Sequence, residues 1–136
     1  MPPADSPSLR WRFDPRAAVW ALGLFVVLAL LATVGARWGV VRSFGGDVLA
    51  VAWVYCLFKM VWRAPVVVLA LAAFGVGVAV EAGQWMAAAQ HWHIQNRALR
   101  IVLGSTADVW DVVAYALGAL LAIGAEKLAP PRDGRR

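Results

Sequence analysis

Glu81, Gln84, Asp47, Asp108 and Asp111 stand inside or at the edge of long apolar runs in this 136-residue sequence. Ionisable groups at membrane depth are costly, so they tend to face a bundle interior or a wet cavity and are functional candidates by default. At 100° per residue, Gly77, Glu81, Gln84 and Ala88 share one helical stripe, with Gly75, Ala79 and Gly83 as a small-residue ridge nearly opposite. Asp108, Asp111, Tyr115, Gly118 and Ala122 fall within about 100° on a second helix, and Asp47 lines up with Val51, Val54, Tyr55 and Phe58 on a third. Arg37 and Arg97 are the nearby cations. The expectation is one polar chamber built from Glu81, Gln84, Asp111, Asp47, Arg37, Arg97 and Tyr115, able to hold a polar head group. Plainer readings compete with it. A carboxylate pair with an arginine can simply hold helices together, Asp47 and Asp108 can be helix N-caps, the tyrosines can anchor packing, and the arginines can contact lipid phosphate.

Other chemistries have less support. Two acids, one buried among apolar groups and one held beside an arginine, are an acid/base arrangement, but no nucleophile motif or phosphate loop accompanies them, so no catalytic residue is assigned. His91 and His93 lie two apart with no Cys or acid nearby to complete a ligand set, so neither metal nor cofactor is expected. The lone Cys56 sits in an apolar run and reads as a small buried hydrophobe. A net charge of +5 raises nucleic acid as a partner, but the arginines sit singly or in pairs between apolar runs and at the ends, which excludes a binding stripe.

These residues must be positioned by elements that live in lipid. The chain is 62% hydrophobic and 15% charged, with a mean hydropathy of +0.67, far from the roughly one-quarter charged composition of soluble domains. A span needs about 20 apolar residues, and the sequence predicts an all-α bundle of four transmembrane helices at 17–36, 47–62, 65–89 and 106–128. Residues 1–15 are expected to be a disordered tail, 16–128 the membrane domain, and 129–136 a basic tail. A cleaved signal peptide is the competing reading for the first run, which exceeds the usual apolar core of about 7 to 15 residues. Lys59 near the end of helix two can snorkel. Arg63-Ala64-Pro65 predicts a tight antiparallel hairpin between helices two and three, Ser105 or Thr106 is the expected N-cap of helix four, and helix three is expected at the centre. Nine of the thirteen lysines and arginines lie in the two tails and the second link, which predicts both termini in the cytoplasm and the acids toward the outer side.

Arg37, Phe44-Gly45-Gly46-Asp47-Val48-Leu49, Glu81-Ala82-Gly83-Gln84 and Leu103-Gly104-Ser105-Thr106, followed by Asp111, Tyr115 and Gly118, resemble domain-of-unknown-function family 2809 from about Arg16 to Leu128. The resemblance implies a small four-helix protein of the bacterial cytoplasmic (inner) membrane with a polar residue set and no assigned activity. The order of an E-x-x-Q helix, a basic link and an aspartate helix with a glycine seven residues on is also similar to VanZ-like proteins, which implies a role in the cell envelope. Where those proteins tend to have Asn four residues after the aspartate, this chain has Tyr115. Three function classes follow. The favoured one is a module binding the head of a membrane lipid or lipid-linked envelope molecule. The others are a membrane-embedded enzyme acting on such a lipid, and a small subunit docking a protein partner or a second copy through its glycine ridge.

Overall fold

A computed structural model describes residues 10–90, 95–96 and 108–129. Four helices dominate it: α1 (Pro15–Thr33), α2 (Gly39–Val61), α3 (Val66–Ala89) and α4 (Val109–Leu128). Each has 19 to 24 residues and is apolar enough to cross a bilayer; at about 1.5 Å per residue they match a hydrocarbon core of about 30 Å. Large apolar side chains such as Trp20, Leu22, Leu30, Leu71, Leu120 and Leu121 point outward from the bundle. That surface suits lipid, not water, and the chain is a multi-pass membrane protein.

The helix boundaries differ from the sequence expectation, most of all between the first two helices. Asp14 caps α1, accepting hydrogen bonds from the Arg16 and Ala17 N–H groups at 3.0 and 3.4 Å, and Pro15 occupies the first helical turn. The helix ends at Thr33, earlier than the expected 36. A short 3₁₀ turn at Gly35–Arg37 then leads to Gly39, whose φ of +46° opens α2. α2 therefore starts eight residues before Asp47, running through Gly45 and Gly46. In lipid every backbone N–H and C=O must be satisfied within the protein, and that demand outweighs the roughly 1 kcal/mol that each interior glycine costs a helix. Asp47 is thus about two turns inside α2 and is not its N-cap. α4 begins at Val109, capped by Asp108, which is extended (φ −132°, ψ 135°) and accepts from the Trp110 N–H at 3.1 Å. The helix expected from 106 is therefore shorter; Ser105 and Thr106 lie outside the described residues.

The end of the N-terminal tail is held in place. Arg10 and Trp11 (β1) pair antiparallel with Arg63 and Trp62 (β2), and the Trp11 and Trp62 rings meet edge to face at 5.9 Å. The Arg12 and Asp14 N–H groups donate to the Val61 and Met60 carbonyls, both at 2.9 Å. Those carbonyls belong to the last turn of α2, which has no intrahelical partner for them. Residues 10–14 therefore differ from the disordered tail expected over 1–15.

α2 is the central helix, packing on α1, α3 and α4, whereas α1 packs chiefly on α2. The contacts Asp14 to Met60 and Phe25 to Trp53 run α1 antiparallel to α2. Lys59 meets Glu126 near the C-terminal ends of α2 and α4, which run parallel. The core comprises Val51, Tyr55, Leu69, Ala70, Ala73, Tyr115, Ala119 and Ala122. Two glycines make it possible. A Cβ on Gly118 would lie 2.5 Å from the Val48 carbonyl oxygen, and one on Gly77 would lie 2.8 Å from the Tyr115 ring. Small residues at such contacts let helices approach in a membrane, where no hydrophobic force draws them together. The expected ridge does not do this: Gly75 and Gly83 have open space around them and Ala79 is exposed. Among the described residues helix three is therefore not central, because its second small-residue face meets no neighbour there.

Candidate functional site

The acids gather at the end of the bundle where α3 finishes and α4 starts. Glu81 lies two turns before the end of α3 and is only 8% exposed. Its neighbour on that face, Gly77, leaves room for the Tyr115 ring of α4, which is 6% exposed. Glu81 Oε1 accepts the Asp108 N–H at 2.6 Å, so the carboxyl group of α3 sits at the N-terminus of α4. That terminus carries the positive end of the helix dipole, which favours a nearby carboxylate. Asp111 occupies the first turn of α4. Its carboxyl group meets that of Asp47, delivered by α2, across the close contact that Gly118 permits. The Tyr115 hydroxyl is turned toward Glu81.

The structure thus brings together Asp47, Glu81, Asp111 and Tyr115 from three helices. Gln84 is half-buried one turn beyond Glu81 on α3. Arg37 is exposed on the 3₁₀ turn at the same end of the bundle, and among the described residues no ion pair joins a cation to Asp47, Glu81, Asp108 or Asp111. Arg97, His91 and His93 lie outside the described residues. Among the described residues no set of three His, Cys, Asp or Glu side chains is arranged to hold a metal ion. The sequence places Asp108 on the polar face of its helix, with an N-cap as the plainer reading. It caps α4 with its side chain and also gives Glu81 its backbone partner, a pairing that no side-chain pattern signals.

The cluster holds three carboxyl groups against two donors described at Glu81, the Asp108 N–H and the Tyr115 hydroxyl. Glu81 Oε2 is buried and has no hydrogen-bond partner among the described residues. A buried oxygen left so costs about 1–3 kcal/mol, so the site is chemically unfinished. Lys59 behaves differently from the snorkelling lysine expected: it forms an ion pair with Glu126 at the opposite end of the bundle.

A family model described as "Protein of unknown function (DUF2809)" matches residues 36–119. The match takes in α2, α3, the first half of α4 and every acid of the cluster, and leaves out α1. No curated protein and no solved structure matches the chain.

Proposed function

The chain belongs to the DUF2809 family of proteins of unknown function, and on that footing we propose that it holds the polar head of a membrane lipid or lipid-linked envelope molecule at the acid-lined end of its bundle. The observation that carries this reading is Glu81: buried, bonded through one oxygen to Asp108, and with the other oxygen unpartnered beside Asp111 and Tyr115. A ligand bearing a donor would complete it. The position also suits an amphiphile, because a head group at this end can leave its chains along the apolar outer surface of the helices. On this reading the bias of lysine and arginine is taken to orient both termini to the cytoplasm and the acid end to the outer leaflet, in the bacterial inner membrane that the family resemblance implies. A role in the envelope rests on the looser VanZ-like pattern of the Glu81, Gln84 and Asp111 helices.

Native mass spectrometry of the detergent-purified protein with lipid identification tests the reading. Glu81→Gln and Asp111→Asn are expected to keep the helical circular dichroism of the parent and to lose the co-purifying lipid. Full lipid retention in both variants would overturn it.

A further inference from the structure

We infer that the head group this site takes carries a protonated amine, so that an ethanolamine-type lipid is held in preference to an anionic one. The inference rests on the binding reading above and adds the sign and donor count of the ligand.

Three features of the acid end carry it. Glu81, more than nine-tenths buried, presents Oε2 with no hydrogen-bond partner among the described residues, while the Tyr115 hydroxyl is turned toward the same carboxyl group. Asp47 and Asp111, whose carboxyl groups hydrogen-bond to each other, bring two more acids to the same place, and among the described residues no cation is paired with any of the three. An ammonium offers three N–H donors and a positive charge in one compact group, matching a cluster of carboxyl oxygens contributed by three helices. Much of the feature that would attract an anion is already used. At the N-terminus of α4, the Asp108 N–H is bonded to Glu81, the Trp110 N–H to the Asp108 side chain, and the Asp111 N–H to the Asp108 carbonyl. A phosphate arriving there would find acceptors and like charge.

The described cations of this end, Arg37 and Arg42, lie farther out. Arg37 is exposed in the turn before α2 and Arg42 is half-buried in its first turns, about 7 Å along the helix axis before Asp47. Among the described residues, the order from the start of α2 inward is therefore basic and then acidic. A zwitterionic head placed with its phosphate at the arginines and its amine at the acids follows that order, whereas a glycerol phosphate head supplies only the outer half.

The test uses the full chain in nanodiscs, with phosphatidylethanolamine, phosphatidylglycerol and phosphatidylcholine offered in equal amounts and the bound lipid read by native mass spectrometry. Phosphatidylethanolamine is expected to exceed phosphatidylglycerol by about tenfold, a 1.4 kcal/mol preference. Phosphatidylcholine, whose methylated amine has no N–H, is expected to fall below phosphatidylethanolamine. Glu81→Gln, and independently Asp111→Asn, should reduce the preference over phosphatidylglycerol to near unity with the helical circular dichroism unchanged. Phosphatidylglycerol bound as well as or better than phosphatidylethanolamine overturns the amine inference and leaves the lipid-binding reading standing. Binding of free ethanolamine without any lipid supports the amine chemistry and overturns the lipid as its source. Binding of none of the lipids and no free amine overturns both.

Discussion

The side chains that matter most are set by glycines opposite them. Tyr115 lies where a Cβ on Gly77 would be 2.8 Å from its ring, and Gly118 rests against the Val48 backbone. The second contact has nothing soft to give way, because its partner is a carbonyl group. Gly118→Ala is therefore expected to destabilise the bundle by about 1–3 kcal/mol, measured as a lower unfolding midpoint in mixed detergent. Gly75→Ala, at a helical position with open space, should leave the midpoint unchanged or raise it slightly. Equal losses from both substitutions would show that the close contact between α2 and α4 is not where the structure has it. Gly77→Ala has a separate readout: by moving the Tyr115 ring it should weaken ligand retention along with stability.

At the scale of elements, the early start of α2 determines where Asp47 is. Had the chain turned through Gly45 and Gly46, Asp47 would stand at a helix end in the interface. Instead both glycines are interior helical residues and Asp47 is carried into the bundle. Gly45 has open space around it, so Gly45→Ala should be neutral or stabilising by up to about 1 kcal/mol. A clear loss of stability would mean that the segment needs glycine's conformational freedom as a link. At the other end of the bundle Lys59 and Glu126 join α2 to α4. They remain 20% and 24% exposed, and polar contacts between membrane helices average about 0.6 kcal/mol. Glu126→Gln should therefore cost about 1 kcal/mol or less, and Lys59→Met should recover part of that loss in the double variant. Additive losses would show that the two groups do not interact.

At the scale of the whole molecule, three helices enclose the acids and one stands apart. α2, α3 and α4 share the core, and the family match over residues 36–119 covers this trio's site without α1. α1 packs on α2, buries only Ala17 and Ala21 along its length, and contributes no acid to the cluster. The charge bias then predicts a direction. In a Cys56→Ser background, Trp38→Cys at the acid end should react with a membrane-impermeant maleimide added to whole cells. Arg12→Cys at the opposite end should react only after the membrane is opened. The reverse pattern would place the acids in the inner leaflet.

How much of this is legible in the sequence follows from which forces act locally. Four helices and their approximate lengths are, because the thickness of the hydrocarbon sets how many apolar residues a span needs. The acids as a group are also legible, since any ionisable residue inside such a run calls for an explanation. The shared face of Asp111, Tyr115 and Gly118 follows from helical periodicity, and the structure uses it both for the cluster and for close packing. The start of α2 is not legible, because propensity measured in water reads Gly45 and Gly46 as a break, whereas lipid requires the backbone to bond to itself. The pinning of residues 10–14 is equally hidden, since it depends on carbonyls at the far end of another helix.

Tertiary structure alone decided which helix is central. Two glycine-bearing faces of α3 look alike as patterns, one with Gly77 and the other with Gly75 and Gly83, yet among the described residues only the first meets a partner. Periodicity says which residues share a face but not what lies opposite. That is why the sequence by itself determined that there would be four spans and buried acids, while the fold chose α2 as their hub and left one Glu81 oxygen without a partner among the described residues.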